Sequence, residues 1–374
     1  MTTLMRSARL RRGVIAVAAV GLALSSVVLS TAAGAAAKLP KSGVETPSGG
    51  QVTETGSTLL YPLFNLWASG YNQKFSSTSI QTAGTGSGTG ISDATNGTIN
   101  IGASDAYLSP SEVSASPDLK NIPLAISAQL VAYNVPGITA HLKLSGKLLS
   151  EIYSGTVTNW NASQIASANP GVTLPNLPIV TLHRSDSSGD TFLFTTYLSK
   201  ADASGWGAKI GFNTTVPWPN APGALGESGN SGMVTGCKAT AGCIAYVGIS
   251  YQTQVLQAGL NYAALGNAKG QYVLPSQTSI AAEAAGFVKK TPANGTISLI
   301  YGPISGGYPI INYEYAIVST NQSSSSDAKN IRSVLEWAVN PKLGSATSYL
   351  AQVNFLPLPT KVEAQSVKQI LAIK

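Results

Sequence analysis

Val52-Thr-Glu-Thr-Gly-Ser-Thr-Leu-Leu60 opens the stretch on which the reading of the fold turns. Val52 to Thr55 is a short strand candidate that runs into Gly56-Ser57-Thr58. Leu59, Leu60, Leu63, Phe64, Trp67 and Tyr71 then recur at three- and four-residue spacing, which predicts a helix with one apolar face. Ser57 or Thr58 is the expected N-cap of that helix. The unit repeats in kind. Ser79 to Thr82 reads as a strand, Gly84-Thr-Gly-Ser-Gly-Thr-Gly90 as a glycine-rich turn, and Ile91 to Thr98 as the following helix. Asn100 to Ala103 is a third strand, stopping at Ser104-Asp105.

The alternation continues downstream. Ile126 to Tyr133 reads as a strand, Leu148 to Ser154 as a helix and Ile179 to His183 as a strand. The loop Ser185 to Asp190 then opens a helix carrying Phe192, Phe194, Tyr197 and Leu198. Strands alternating with helices imply an α/β fold with largely parallel sheets. Ligands of such sheets bind in loops beyond the carboxyl ends of the strands. Loops 56–59, 84–90 and 184–190 fit that location.

The chain's 374 residues suffice for two domains. Charged residues make up only 10%, well under the usual quarter, and Gly, Ser, Thr, Asn and Tyr fill the gap. Residues 1–37 read as an export signal. Arg6, Arg9, Arg11 and Arg12 form a positive start, Val14 to Leu29 is apolar, and Ala33-Gly-Ala-Ala-Ala37 offers cleavage sites. No cysteine follows to carry a lipid anchor. Residues 38–50, with their Pro, Ser and Gly, read as a flexible leader. Of the formal charge of +7, four are the signal arginines, which leaves +3 on the mature chain. No basic run or basic–aromatic stripe remains, which argues against nucleic acid. Cys237 and Cys243 are the only cysteines. In an exported chain they read as one short structural disulfide. A zinc site is the rival, but His141 and His183 provide no ligand spacing.

Each of the three loops precedes a predicted helix, whose unpaired N–H groups and dipole favour an anion. Ser57, Thr58, Ser87 and Ser188 add hydroxyl donors, and Arg184 adds a fork suited to a tetrahedral oxyanion. Taken singly, a Ser or Thr at a helix start is a cap, and Arg184 could simply pair with Asp186. The shared chemistry and position of the loops carry the argument. The glycine turn does not match G-x-G-x-x-G, and no G-x-x-x-x-G-K-[ST] occurs, so nucleotide binding has little support. Asp105, Asp186 and Asp190 are three of only seven aspartates. An ionised Asp only accepts, so Asp105 or Asp190 would accept a proton-bearing oxygen of phosphate and leave sulfate repelled. Asp190, taken alone, is equally a first-turn acid stabilised by the dipole.

These blocks resemble the phosphate-binding component of the bacterial phosphate ABC transporter, the PstS family. The resemblance runs from about Glu54 to the C-terminus. It rests on Thr55-Gly-Ser-Thr-Leu-Leu-Tyr-Pro62, Gly86-Ser-Gly-Thr-Gly90, Ile101-Gly-Ala-Ser-Asp-Ala-Tyr-Leu108, His183-Arg-Ser-Asp-Ser-Ser-Gly-Asp-Thr-Phe192, Gly229-Asn-Ser-Gly232 and Tyr308-Pro-Ile-Ile-Asn-Tyr313. It implies a two-lobed periplasmic-binding-protein fold, type II-like, with the ligand cleft between lobes joined by two crossing strands. The crossings are expected near Ala128–Asn134 and Gly306–Tyr308. Lobe one would span 50–130 plus 308–374, and lobe two 131–307.

The resemblance further implies phosphate contacts from Thr58, the Leu59 N–H, Ser87, Asp105, Arg184, Ser188 and Gly189, with Ser57 adjoining. Asp186 matches the residue that pairs with the family's arginine. Many relatives carry Thr at the place of Asp190, so this chain has a second acceptor there, as one branch of the family does. The expected partners are inorganic phosphate and the transporter's membrane permease, for a monomer with no cofactor. Three alternatives stay open. One is a hydrolase using Ser188 or Ser87, although neither lies in G-x-S-x-G and no base is evident. The others are a sensor or adhesin on the same lobes, and the same fold retuned to another oxyanion.

Overall fold

Asn134, at the end of the longest strand, ties that strand to the Cys237–Cys243 disulfide, its amide donating to the Cys237 carbonyl at 3.0 Å. The computed structural model describes residues 43–374, so the expected export signal over 1–37 lies outside the described residues. So do residues 38–42 of the expected leader. Within its described part, the Glu45 and Ser48 N–H groups donate to Glu336 and Asn330, and Arg332 pairs with Glu45 at 2.8 Å. That end of the leader is therefore pinned to the helix Ser325–Val339.

Eight strands carry the architecture: β1 Gly50–Gly56, β2 Thr78–Gly84, β3 Ile101–Ser104, β4 Leu119–Tyr133, β5 Val180–Arg184, β6 Leu225–Glu227, β7 Cys243–Gly248 and β8 Ile311–Ser319. Their spatial order is β2-β1-β3-β8-β4-β7-β5-β6. β1 runs parallel to β2 and β3, and β5 runs parallel to β6 and β7. β8 and β4 are antiparallel to their neighbours, so the sheet is mixed rather than largely parallel. The physical reason is that β4 and β8 pass between the two α/β halves instead of returning through a crossover helix. β4 pairs with β8 up to Ala128 and with β7 from Gln129 onward. The result is one continuous mixed sheet in which β4 and β8 join the parallel set around β1 to the parallel set around β5.

Three helices follow expected strands: α1 Tyr61–Lys74, α2 Ser87–Asn96, which begins inside the expected glycine-rich turn rather than at Ile91, and α3 Gly189–Ala201. A fourth, α4 Gly229–Ala239, follows β6, and neither was expected. α1 buries Leu63, Phe64, Trp67 and Tyr71, the stripe its spacing predicts, and Pro62 suits its first turn. Its cap differs from expectation. Leu60 occupies the cap position, while the Ser57 hydroxyl accepts from the Leu59 and Leu60 N–H groups at 3.1 and 2.9 Å in the turn ahead. The strand register then fixes where the loops gather. Gly56 lies opposite both Gly84 and Ala103, and Arg184 opposite Glu227, so each set of strands ends level and delivers its loops to one place.

Glu54 is buried in β1 with only the Thr82 hydroxyl as a side-chain donor, and its Oε1 has no partner. Burial raises its carboxyl pKa to about 8, against the opposing effect of that hydroxyl. A folded-state pKa above the unfolded one means that stability is full below about pH 4.5 and is lost as pH climbs toward 8. Chemical denaturation should therefore find Glu54→Gln more stable than wild type at pH 9, by roughly a few kcal/mol, with the gap closing at pH 5. Equal stabilities at both pH values would show that Glu54 is ionised throughout.

Candidate functional site

Arg184 ends β5 with its side chain 1% exposed. Its backbone N–H donates to the Tyr246 hydroxyl at 2.8 Å, which fixes the strand end against β7. Its guanidinium donates from Nε to Asp186 Oδ1 at 2.7 Å and also pairs with Asp186 Oδ2. Its remaining nitrogen meets Asp190 Oδ2 at 3.1 Å. Burial disfavours the carboxylate of Asp186, but the Arg184 bonds and the Gly229 N–H outweigh it and hold its pKa below the usual range. Asp190 is pushed the other way, chiefly by burial, although Arg184, Gln129 and Asn230 all favour its charge.

Asp190 is also the junction of the site. Gln129, the residue at which β4 changes partners, donates to its Oδ1 at 3.0 Å and its carbonyl at 2.8 Å. Asn230, in the first turn of α4, donates to its Oδ2 at 2.6 Å. Asn230 also donates to the Thr58 hydroxyl at 3.0 Å and accepts from the Gly248 N–H at 2.7 Å. Three protein donors thus occupy three of about four acceptor positions on the Asp190 carboxylate.

Asp105 follows β3 and is 2% exposed. Its Oδ1 accepts from the Ser57 hydroxyl, and its N–H donates to the Ser87 hydroxyl at 3.2 Å. Its pKa is raised to about 7, first by burial and then by the Asp190 charge. The register places Asp105 next to Glu314 on β8.

The expected donors divide on inspection. The hydroxyls of Thr58, Ser87 and Ser188 accept from Asn230, Asp105 and Thr191 respectively, so each keeps its own proton to donate. Ser87 and Gly189 begin α2 and α3, where N–H groups have no acceptor within the helix. The Ser188 N–H, by contrast, is taken by the Thr214 carbonyl at 2.9 Å, and the Leu59 N–H by Ser57.

The glycine loop touches the Arg184 loop directly. The Gly88 N–H donates to the Ser187 carbonyl at 3.0 Å. Gly86 has φ +101°, and a Cβ there would lie 2.7 Å from Asp186 Oδ2 and from the Ser187 carbonyl. A Cβ on Gly189 would overlap Asp105 Oδ2 and the Ser87 hydroxyl. Both positions need glycine, Gly86 because it lies against the Ser187 backbone and the Asp186 carboxylate, Gly189 because it lies against the Asp105 and Ser87 side chains.

The nine expected site residues and Asp186 therefore converge. Gln129, Asn230 and Glu314 were not expected. Their signal is a polar residue inside an apolar strand or, for Asn230, at the start of a helix beside the quoted Gly229 block.

The chain matches the model of the PBP superfamily domain over residues 42–342. It is similar to the phosphate-binding protein PstS of Xylella fastidiosa, 33% identical over 323 residues, covering 86% of this chain and 84% of that one. PstS of Methanocaldococcus jannaschii is 31% identical over 350 residues, covering 88% of each. Among solved structures, a phosphate-binding protein from Stenotrophomonas maltophilia superposes with TM-score 0.65 at 20% identity, over 86% of this chain and 94% of that one. The high affinity periplasmic phosphate-binding protein PfluDING, bound with phosphate, superposes with TM-score 0.66 at 22% identity, over 84% and 92%.

Asn230→Ala removes the donor shared by Thr58 and Asp190 and the acceptor of Gly248, all buried. Denaturant titration should find a loss of about 2–4 kcal/mol. A loss under about 0.5 kcal/mol would mean that water replaces the amide and that the bridge is not structural.

Proposed function

We propose, since the chain belongs to the PstS family of phosphate-binding proteins within the PBP superfamily, that it captures inorganic phosphate outside the cytoplasm and delivers it to the membrane permease of a phosphate ABC transporter. The observation that carries this reading is the convergence of a buried Arg184, an acceptor carboxyl on Asp105 and free hydroxyl protons on Thr58, Ser87 and Ser188. That set matches a tetrahedral anion that both accepts and donates hydrogen bonds.

In this reading the N–H groups opening α2 and α3, the three hydroxyls and the Arg184 guanidinium donate to phosphate oxygens. Asp105 accepts from the phosphate O–H. Asp190 has about one acceptor position left and serves chiefly to brace Arg184. Asp186 fixes the fork, and Ser57 orients Asp105 rather than touching the anion. The Leu59 N–H is turned to Ser57.

Lobe one, 50–130 plus 308–374, supplies Thr58, Ser87 and Asp105. Lobe two, 131–307, supplies Arg184 and Ser188. The change of partners between Ala128 and Gln129 supports that division. Contacts such as Gly88 N–H to the Ser187 carbonyl can form only when the lobes are shut, so a ligand that bridges them favours closure. Residues 1–37 serve as the export signal, the chain acts as a monomer, and no helix among the described residues is long and apolar enough to cross a membrane.

Calorimetric titration of the mature, ligand-free chain tests this. The expected result is tight one-to-one phosphate binding that excess sulfate leaves unchanged. Arg184→Ala or Asp105→Ala should weaken it by at least about 30-fold, or about 2 kcal/mol. A folded, ligand-free sample that binds no phosphate would overturn the proposal.

A further inference from the structure

Glu314 lies in the apolar strand Ile311–Ser319 and is fully buried. The register places it deliberately. Tyr315 pairs with Ser104 across the antiparallel β8–β3 ladder, so the next rung sets Glu314 against Asp105. A register shift on the other side of β8 falls at Glu314 and Tyr315, where the strand bends beside this pair.

The donors around these two carboxyls can be counted. Asp105 Oδ1 has the Ser57 hydroxyl. Glu314 Oε1 has the Ser127 hydroxyl and the Asn312 amide, the latter at 3.1 Å. Glu314 Oε2 is buried with no donor at all. The register leaves the Glu314 and Asp105 carboxyls as buried neighbours on adjacent strands, with Glu314 Oε2 lacking any donor. Two ionised carboxylates cannot bond to each other, because both only accept. One proton held between the two would supply the donor that Glu314 Oε2 lacks and remove one of two neighbouring buried charges.

We propose that Asp105 and Glu314 share one proton carried by Glu314, and that Glu314 is thereby the positioning residue that keeps Asp105 an ionised acceptor for the phosphate O–H. The charges around the pair favour that assignment. Arg184 faces Asp105 and stabilises its anion, with Asp190 opposing. Glu314 is faced by Asp105, Ser127, Asn312 and the neighbouring Tyr315. Both carboxyls are raised, chiefly by burial, Glu314 well above its ordinary range. The proton's location decides selectivity. Were it on the outer face of Asp105, that group would donate, and sulfate, which only accepts, would be welcomed. The inference rests on the phosphate-binding reading for its consequence, but not for the shared proton itself.

Two measurements separate them. The first is the infrared band of a protonated carboxyl at neutral pH, taken as the difference between wild type and Glu314→Gln. Buried Glu54 and Glu283 are unchanged between the two proteins and cancel. A band lost in Glu314→Gln, or shifted in frequency in Asp105→Asn should the first variant misfold, supports the shared proton; a flat difference spectrum in both overturns it.

The second measurement is phosphate and sulfate titration of wild type, Glu314→Gln and Glu314→Leu across pH 6 to 10. Gln offers Asp105 a permanent N–H. It should restore binding and sulfate rejection where Leu weakens phosphate at least about tenfold. The ratio of wild-type to Glu314→Gln Kd cancels the ionisation of phosphate itself. It should rise by up to about tenfold per pH unit once the shared proton is lost. A Leu variant as tight as wild type, with a flat ratio, removes the positioning role. Absence of phosphate binding in wild type would instead defeat the proposed function, and the infrared result would still decide the pair.

Discussion

A guanidinium cannot be deprotonated, so burying Arg184 commits the fold to neutralising it in place. An unpaired buried charge costs several kcal/mol, and most of the site's geometry follows from avoiding that cost. Asp186 takes two of the guanidinium's nitrogens and Asp190 a third. Asp190 is in turn satisfied by Gln129 on β4 and Asn230 on α4. Asn230 reaches on to Thr58 beyond β1 and to Gly248 at the end of β7. One buried cation is thus coupled to four separate elements. Each has to end at the right level for the bonds to form, and the strand registers meet that condition.

How much of this could be read in the sequence varied with the kind of information required. The α1 stripe from Leu63 to Tyr71 is local, and its period of three and four survives into the structure. The loops before α2 and α3 are also local, since glycine, serine and a following apolar helix leave few options. The antiparallel placement of β4 and β8 is not local. Nothing in Ile311-Asn-Tyr-Glu-Tyr315 states that its neighbours are residues 101–104 and 119–128, more than 180 positions away. Glu314 shows the same limit. A carboxylate inside an apolar strand is visible as an anomaly, but its partner Asp105 appears only once the two strands are paired. The cap at α1 failed differently. Ser57 does accept helix-start N–H groups, as a cap should, but the chain makes a further turn before the helix begins.

The electrostatics of the site run against a simple picture of anion capture. Arg184 brings the only positive charge among the described groups touching the centre. Asp186, Asp190 and the Asp105–Glu314 pair bring negative ones. Net attraction by charge therefore cannot be what holds a doubly negative ligand. What remains is a set of fixed dipoles: the opening N–H groups of α2 and α3 and hydroxyls whose oxygens are already held as acceptors. With one lone pair so engaged, each hydroxyl keeps its proton available to donate.

A centre built on dipoles and acceptors discriminates by hydrogen-bond count rather than by charge. Sulfate and phosphate are close in size and shape, so a cavity alone would separate them poorly. An ionised acceptor in a dry site penalises the anion without a proton by leaving both partners unsatisfied, a difference worth several orders of magnitude where it is strict. The same carboxylate is unfavourable in the empty protein, because it is buried near Asp190. A neighbouring carboxyl that donates its proton, with no full charge of its own, eases that burden without adding a cation that would draw in every anion. The fold accordingly places Glu314 where a lysine would have given stronger binding and poorer selection.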